Sequence, residues 1–309
     1  MIEKMRRIGS LEVSAAGLGC NNFGMRIDED ASQAVVDAAI DAGINFFDTA
    51  DLYGGVKSEE FLGRALGSRR DDVVVATKFG MLKPPENSGL TGGSPVWVAQ
   101  ACNDSLRRLG TDRIDLYWLH APDAKTPIGD TLEALDALVQ AGKVREIGCS
   151  NFSATQLDEA DATAKERGVR PFATVQNDYS LLQREPEKEV LPACARLGIA
   201  FVPYFPLASG LLTGKYKRGE AAPEGTRLAQ WGVPPDERFD VVEKLETFAA
   251  SHGHTIHELA LSWLAMKPTV ASVIAGATKP EQVRTNVAAT TAWELSAEEL
   301  AEFDGLTAP

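Results

Sequence analysis

The sequence predicts an α/β protein, a single (β/α)8 barrel preceded by a β-hairpin. Three observations predict it. Short apolar runs rich in β-branched residues recur through the 309 residues, amphipathic patterns fill the gaps between them, and no linker, composition break or low-complexity tract divides the chain. The alternation repeats about eight times, at about 30 residues per unit, as a barrel of βα units requires. An open doubly wound sheet is the competing arrangement; eight units favour the closed one, and residues 1–309 read as one domain.

Each element has its own reason. RRIGSLEVS (6–14) reads as a hairpin with Gly9-Ser10 at its turn. AAGLGC (from 15), INFFD (44), VVVAT (73), IDLYWLH (114), VREIGCS (144), FATVQN (172), IAFVPY (199) and VASVIAG (270) are continuous apolar runs, suited to parallel strands covered on both faces. Between them, Val35, Val36, Ala39 and Ile40 share one helical face, Leu132, Leu135 and Val139 another, and Ile256, Leu259, Ala260 and Trp263 a third. Gly43, Gly142, Gly168 and Gly198 stand where helices must stop before the next strand. Capping boxes open helices at Ser153/Gln156, Thr255/Glu258 and Ser296/Glu299. The gap from Tyr204 to Val270 exceeds one helix, and its Gly- and Pro-rich part near 205–235 predicts a large loop on the barrel mouth.

A formal net charge of −13 argues against nucleic acid or an anionic membrane surface as partner. MIEKMRRIGS has no apolar core and does not read as a secretory signal, and no apolar run is long enough for a membrane span. Cys20, Cys102, Cys149 and Cys194 form no C-x-x-C pair and read as reduced thiols of a cytoplasmic protein. The sequence leaves the oligomeric state open.

Barrel active sites lie at the C-terminal ends of the strands. Asp48, Lys78, His120, Ser150-Asn151, Gln176-Asn177 and Tyr204 end successive expected strands, and Tyr53 sits on the loop after Asp48. Any one of these is ordinary as a cap, a solvated charge or a packing residue; their joint placement converges on one mouth. Phe23, Met25, Phe79, Met81 and Trp231 are candidate apolar walls of a pocket there.

With these residues in place, FFDTADLYGGVKSEEFLGRAL, the strand-end Lys in VVVATKFG, LYWLH, GKVREIGCSNF and YFPLASGLLTGKY together resemble the aldo-keto reductase superfamily, in order along nearly the whole chain. The resemblance implies a TIM barrel that transfers hydride between a nicotinamide cofactor, NADPH or NADH, and a small-molecule carbonyl substrate. It implies that Asp48, Tyr53, Lys78 and His120 form the catalytic tetrad. Tyr53 would be the general acid, its pKa lowered by Lys78; Asp48 would hold Lys78, and His120 would orient the carbonyl oxygen. It further implies that Ser150, Asn151 and Gln176 hold the carboxamide and that Tyr204 stacks on the nicotinamide. Pro206, Leu207, Gly210 and Lys215 would fold over the pyrophosphate, and Gly276, Thr278, Gln282 and Asn286 would hold the adenosine end. Gln282 stands where many relatives carry an Arg for the 2′-phosphate, so Lys279 and Arg227 are candidate replacements. Some relatives of this kind serve instead as regulatory subunits of potassium channels, the alternative function. Substrate identity and the direction of the reaction stay open.

Three motifs carry no function of their own. GLGCNNFG (17–24) puts four residues before its last Gly and does not fit a dinucleotide turn; GLLTGKY misses phosphate-loop spacing; GCSNF is no nucleophile elbow. His252, His254 and His257 straddle a helix break at Gly253, which favours a structural role over a metal site, so no metal is expected.

Overall fold

The computed structural model describes residues 5–82, 84, 86, 88–232 and 236–307. β1 (Met5–Ile8) and β2 (Leu11–Ser14) form the expected hairpin, with Ile8 opposite Leu11. Eight parallel strands follow: β3 (Ala16–Gly19), β4 (Phe46–Asp48), β5 (Val74–Phe79), β6 (Ile114–Leu119), β7 (Val144–Ser150), β8 (Thr174–Asp178), β9 (Ala200–Tyr204) and β10 (Val273–Gly276). They run in sequence order, with β10 paired to β3. The ring closes through Phe201, which donates to the Thr269 carbonyl at 2.8 Å and accepts from the Ala271 N–H at 2.9 Å. The fold is a (β/α)8 barrel, as the repeat count predicts.

Helices cover the outside: α1 (Glu29–Asp41), α2 (Lys57–Leu66), α3 (Pro95–Leu109), α4 (Ile128–Gln140), α5 (Ala154–Arg167), α6 (Val190–Leu197), α7 (Arg227–Trp231), α8 (Asp236–Ser251), α9 (Ile256–Ala265), α10 (Pro280–Thr290) and α11 (Ala297–Thr307). Local chemistry fixes their ends. Both sides of the capping box form at Ser153/Gln156 and Thr255/Glu258, and Ser296 exchanges the same pair of bonds with Glu299. Gly168 and Gly198 take the left-handed conformation as C-caps. The long β9–β10 connection holds a 3-10 segment (Ala208–Thr213) and α7 within its loop, then α8 and α9. Among the described residues no helix is long and apolar enough to cross a membrane.

Strand alternation divides the core in two. Phe46, Val74, Ala76, Leu116, Trp118, Val202 and Ile274 fill the barrel interior, and Ile8, Leu11 and Val13 of the hairpin join that cluster. Phe47, Val75, Phe79, Tyr117 and Leu119 belong to the larger layer between strands and helices. Side chains on a strand alternate faces, so Asp48, Lys78 and His120 continue the inward rows of Phe46, Ala76 and Trp118. Parity thus aims three polar groups into one end of the barrel.

Candidate active site

Lys78 is fully buried, and its ammonium has three protons to place. One goes to Asp48 Oδ2, one to the Thr49 carbonyl at 2.8 Å and one to the Tyr53 hydroxyl at 3.2 Å. Burial works against the charge of Lys78, but Asp48 and then Tyr53 outweigh it and hold the pKa above its ordinary value. Asp48 is itself 2% exposed and also accepts from Gln176 Nε2 at 3.0 Å. A buried ion pair of this kind is stable only with its remaining valences satisfied.

Since Tyr53 accepts from Lys78, its own proton points elsewhere. Its ring lies edge-on to His120, centroids 5.9 Å apart. Burial pushes the Tyr53 phenol above its ordinary value, and the pull of Lys78 does not reverse this; Asp48 adds to the rise. The sequence-based expectation of a lowered phenol is thereby corrected: depth in the barrel outweighs the neighbouring cation, whose charge Asp48 already offsets. His120, 8% exposed, is driven down to about 3, chiefly by burial and then by Lys78, so its imidazole is neutral. Its Nδ1 is buried without a hydrogen-bond partner among the described residues.

The loop carrying Tyr53 is conformationally demanding. Gly54, Gly55 and Val56 all have positive φ, at 60°, 62° and 75°. A side chain at Gly54 would meet the Phe23 carbonyl oxygen at 2.3 Å. Val56 is β-branched and pays about 1–3 kcal/mol for that backbone. Thr49 is held in turn: its hydroxyl meets Ser58 Oγ at 2.8 Å, and Ser58 donates to the Cys20 carbonyl at 2.9 Å.

The next strand ends are wired to the same centre. Ser150 Oγ donates to the Gln176 carbonyl at 2.8 Å. Asn151, with φ 64°, donates from Nδ2 to the His120 carbonyl at 3.0 Å and accepts at Oδ1 from the Tyr204 hydroxyl at 2.8 Å. Tyr204 is half-buried. Beyond it, Phe205, Ala208 and Ser209 have positive φ without being glycine, and Gly210 follows at 99°. Pro206 is buried, Leu207 half-buried, and Lys215 lies over Gly210, where an added Cβ would stand 3.0 Å from its Nζ. Arg227 Nη2 donates to Asn21 Oδ1 at 3.0 Å, and its guanidinium lies 5.5 Å from the Phe205 ring centroid. Asn21 and Asn22 in turn flank Gly276, and Asn22 Nδ2 donates to the Ala277 carbonyl at 3.1 Å. At the start of α10, the Thr278 N–H donates to Gln282 Oε1 at 2.7 Å, Lys279 is exposed, and Asn286 is 7% exposed.

Some expectations change. Phe23 and Phe79 are fully buried in the outer layer, Phe79 stacked on Tyr117 at 4.6 Å, so neither is a free wall. Met25 and Met81 stand 56% and 51% exposed on mouth loops; the Trp231 side chain lies outside the described residues. The three histidines make packing and polar contacts: His252 lies by Phe248, Trp293 and the α11 carboxylates, His254 stacks on Trp293, and His257 bonds Asn286. Asp51 was not singled out from the sequence. It is 1% exposed, no side chain hydrogen-bonds to its oxygens among the described residues, and burial, aided by Glu59 and only partly offset by Arg108, Lys78 and the Leu52 backbone, pushes its carboxyl up to about 7. Its DTAD context gave no sign of this, because its burial comes from packing across elements. The four cysteines are free and buried.

Residues 15–308 match the model of the aldo/keto reductase family. The chain belongs to that family. This aldo/keto reductase is therefore an oxidoreductase. It is 37% identical over 289 residues to the uncharacterized oxidoreductase YrpG of Bacillus subtilis, covering 90% of this chain and 88% of that protein. It is also 36% identical to a probable voltage-gated potassium channel subunit beta of Oryza sativa, over 86% of this chain and 84% of that one. A similarly named protein of Arabidopsis thaliana is 35% identical, over 90% and 88%. The solved glycerol dehydrogenase AKR11B4 from Gluconobacter oxydans is similar over 100% of this chain and 96% of its own, with a TM-score of 0.85 and 32% identity.

Proposed function

We propose that this oxidoreductase reduces an aldehyde or ketone to the alcohol with a nicotinamide dinucleotide, Tyr53 being the general acid. The observation that carries the reading is the Lys78 ammonium, whose contacts with Asp48, Thr49 and Tyr53 leave the phenol's proton turned away from the buried pair.

The donor set fits such a dinucleotide. Three non-glycine residues in left-handed backbone at 205, 208 and 209 each cost about 1–3 kcal/mol, a strain typical of ligand-holding loops. That loop, with Pro206, Leu207, Gly210 and Lys215, would hold the pyrophosphate. Ser150, Asn151 and Gln176 would hold the carboxamide and Tyr204 the ring. Gly276, Thr278, Gln282 and Asn286 would hold the adenosine end. Lys279, exposed at the N-cap of α10, and Arg227 are the candidate cations for the 2′-phosphate of NADPH, with NADH as the other possibility. When bound, the dinucleotide supplies the hydride.

The chain's own groups manage charge and proton. His120, neutral at any working pH, can donate to the carbonyl oxygen without competing for the acid's proton. Tyr53 passes its proton to that oxygen as negative charge builds there. Lys78 then faces a phenolate rather than a phenol, and the ion pair strengthens as the proton leaves. Differential stabilisation of this kind accelerates a step. Asp48 and Gln176 keep the ammonium from following its partner. Four free thiols support a cytoplasmic setting.

The likeness to the two plant proteins named as channel subunits supports a second reading, a nucleotide-sensing subunit that keeps the barrel. One experiment separates the two: protein, NADPH and 4-nitrobenzaldehyde are mixed and the nicotinamide absorbance followed. Steady oxidation that Tyr53→Phe nearly abolishes, with cofactor binding retained, is expected. Binding without oxidation across a carbonyl panel would leave the sensing reading in its place.

A further inference from the structure

The outer wall of the proposed cofactor site contains a hydrogen bond that the catalytic scheme does not use. His257 lies in the first turn of α9 and reaches across to α10, where its Nε2 stands 2.9 Å from Asn286 Oδ1. Asn286 is 7% exposed, so its amide has little freedom. The two helices are latched beside it: Ser262 Oγ donates to the Ala289 carbonyl at 2.7 Å and accepts from the Trp293 N–H at 3.1 Å. The histidine therefore sits on a fixed base.

Polarity follows from the partner. A carbonyl oxygen can only accept, so the ring must present an N–H at Nε2. Burial lowers the pKa of His257, so the ring is neutral and spends its single proton on this bond. With Oδ1 so occupied, the Asn286 NH2 has no partner among the described residues. One turn earlier on α10 the same arrangement recurs: Gln282 Oε1 accepts from Thr278 N and, at 3.2 Å, from its hydroxyl, and the Gln282 NH2 has no partner among the described residues. Two amides in successive turns thus have their acceptors tied to protein and only donors to offer. Such a surface suits an acceptor-rich ligand edge, such as purine ring nitrogens or ribose and phosphate oxygens.

We propose that His257 is a positioning residue for the dinucleotide: by donating to Asn286 Oδ1 it fixes the amide with its NH2 toward the bound adenosine end. This rests on the cofactor reading above. The bond is long-range in sequence, 29 residues, and would leave the reacting centre untouched when broken.

The test is a titration of NADPH followed by quenching of protein fluorescence, with kcat measured at saturating cofactor. His257→Leu is expected to raise Kd about tenfold, about 1.4 kcal/mol, with kcat within about twofold of the parent because His257 is remote from the proton-transfer step. His257→Gln, which restores a donor, should recover most of the affinity. Asn286→Ala should weaken binding as much, and the double variant no further, because both changes remove one coupled unit. His257→Met replaces the leucine variant if that does not fold. If Asn286→Ala weakens binding and His257→Leu does not, the positioning role is overturned and the cofactor site stands. Unchanged affinity in Asn286→Ala also overturns it. If the parent protein binds neither NADPH nor NADH, the cofactor reading itself falls, and this proposal with it.

Discussion

Lys78→Met removes the charge that the proposed chemistry relies on. The ammonium stands 3.2 Å from the Tyr53 oxygen, so at an effective dielectric near 20 its attraction for a full phenolate is about 5 kcal/mol. If the proton is about half transferred in the transition state, about half of that is lost and kcat falls about a hundredfold; full transfer raises the loss to about 10⁴-fold. The substitution also strands Asp48, 2% exposed, with Gln176 as its remaining side-chain partner; breaking a buried pair costs about 3–5 kcal/mol of stability. Asp48→Asn combined with Lys78→Met removes both charges and relieves that cost, which separates folding from chemistry. The assay is kcat for a carbonyl substrate at saturating NADPH, with circular dichroism and cofactor affinity as controls. Both variants should lose activity within the stated range and bind cofactor. A folded, cofactor-saturated variant within tenfold of the parent would refute the electrostatic role of Lys78.

Two further outcomes follow from the geometry. The folded carboxyl of Asp51 titrates about 7, above its unfolded value near 4, so stability present below pH 4 is lost as pH rises through 7, by at most about 4 kcal/mol. Asp51→Asn should therefore raise Tm at pH 8 and leave it unchanged at pH 4, as calorimetry at the two pH values will read; equal shifts at both would contradict an acid kept protonated by burial. Gly210→Ala places a side chain at φ 99° on the loop under Lys215, a cost of about 1–3 kcal/mol. Tm should fall by about 2–6 °C and the Kd for NADPH should rise; a variant that moves neither would show the loop to be indifferent to this backbone.

The likeness to proteins named both as dehydrogenase and as channel subunit bears on what a barrel specifies. The barrel is shared with the solved glycerol dehydrogenase, and the sequence likeness extends to the named channel subunits; chemistry resides in a handful of groups at the mouth. Here the buried ion pair and the phenol are assembled in full, with every proton of Lys78 engaged. These are the groups on which the proposed turnover depends.

Much of the candidate site was written along the chain. Parallel strands are buried on both faces, so their apolar runs are visible, and a carboxylate, an amine or an imidazole at the end of such a run stands out as the exception. Period-two alternation even fixes direction: Lys78 must face opposite to Phe79, which is why Phe79 packs outward and is not the pocket wall its position suggested. Capping boxes were legible for the same reason, since their bonds span three residues. The balance of charge at Tyr53, the exclusion of Asp51 from water, the clasp of Arg227 on Asn21 and the His257–Asn286 bond were not. Each depends on how far two elements distant in sequence come together and how much water they expel, quantities that barrel closure and helix packing decide and that no local pattern records.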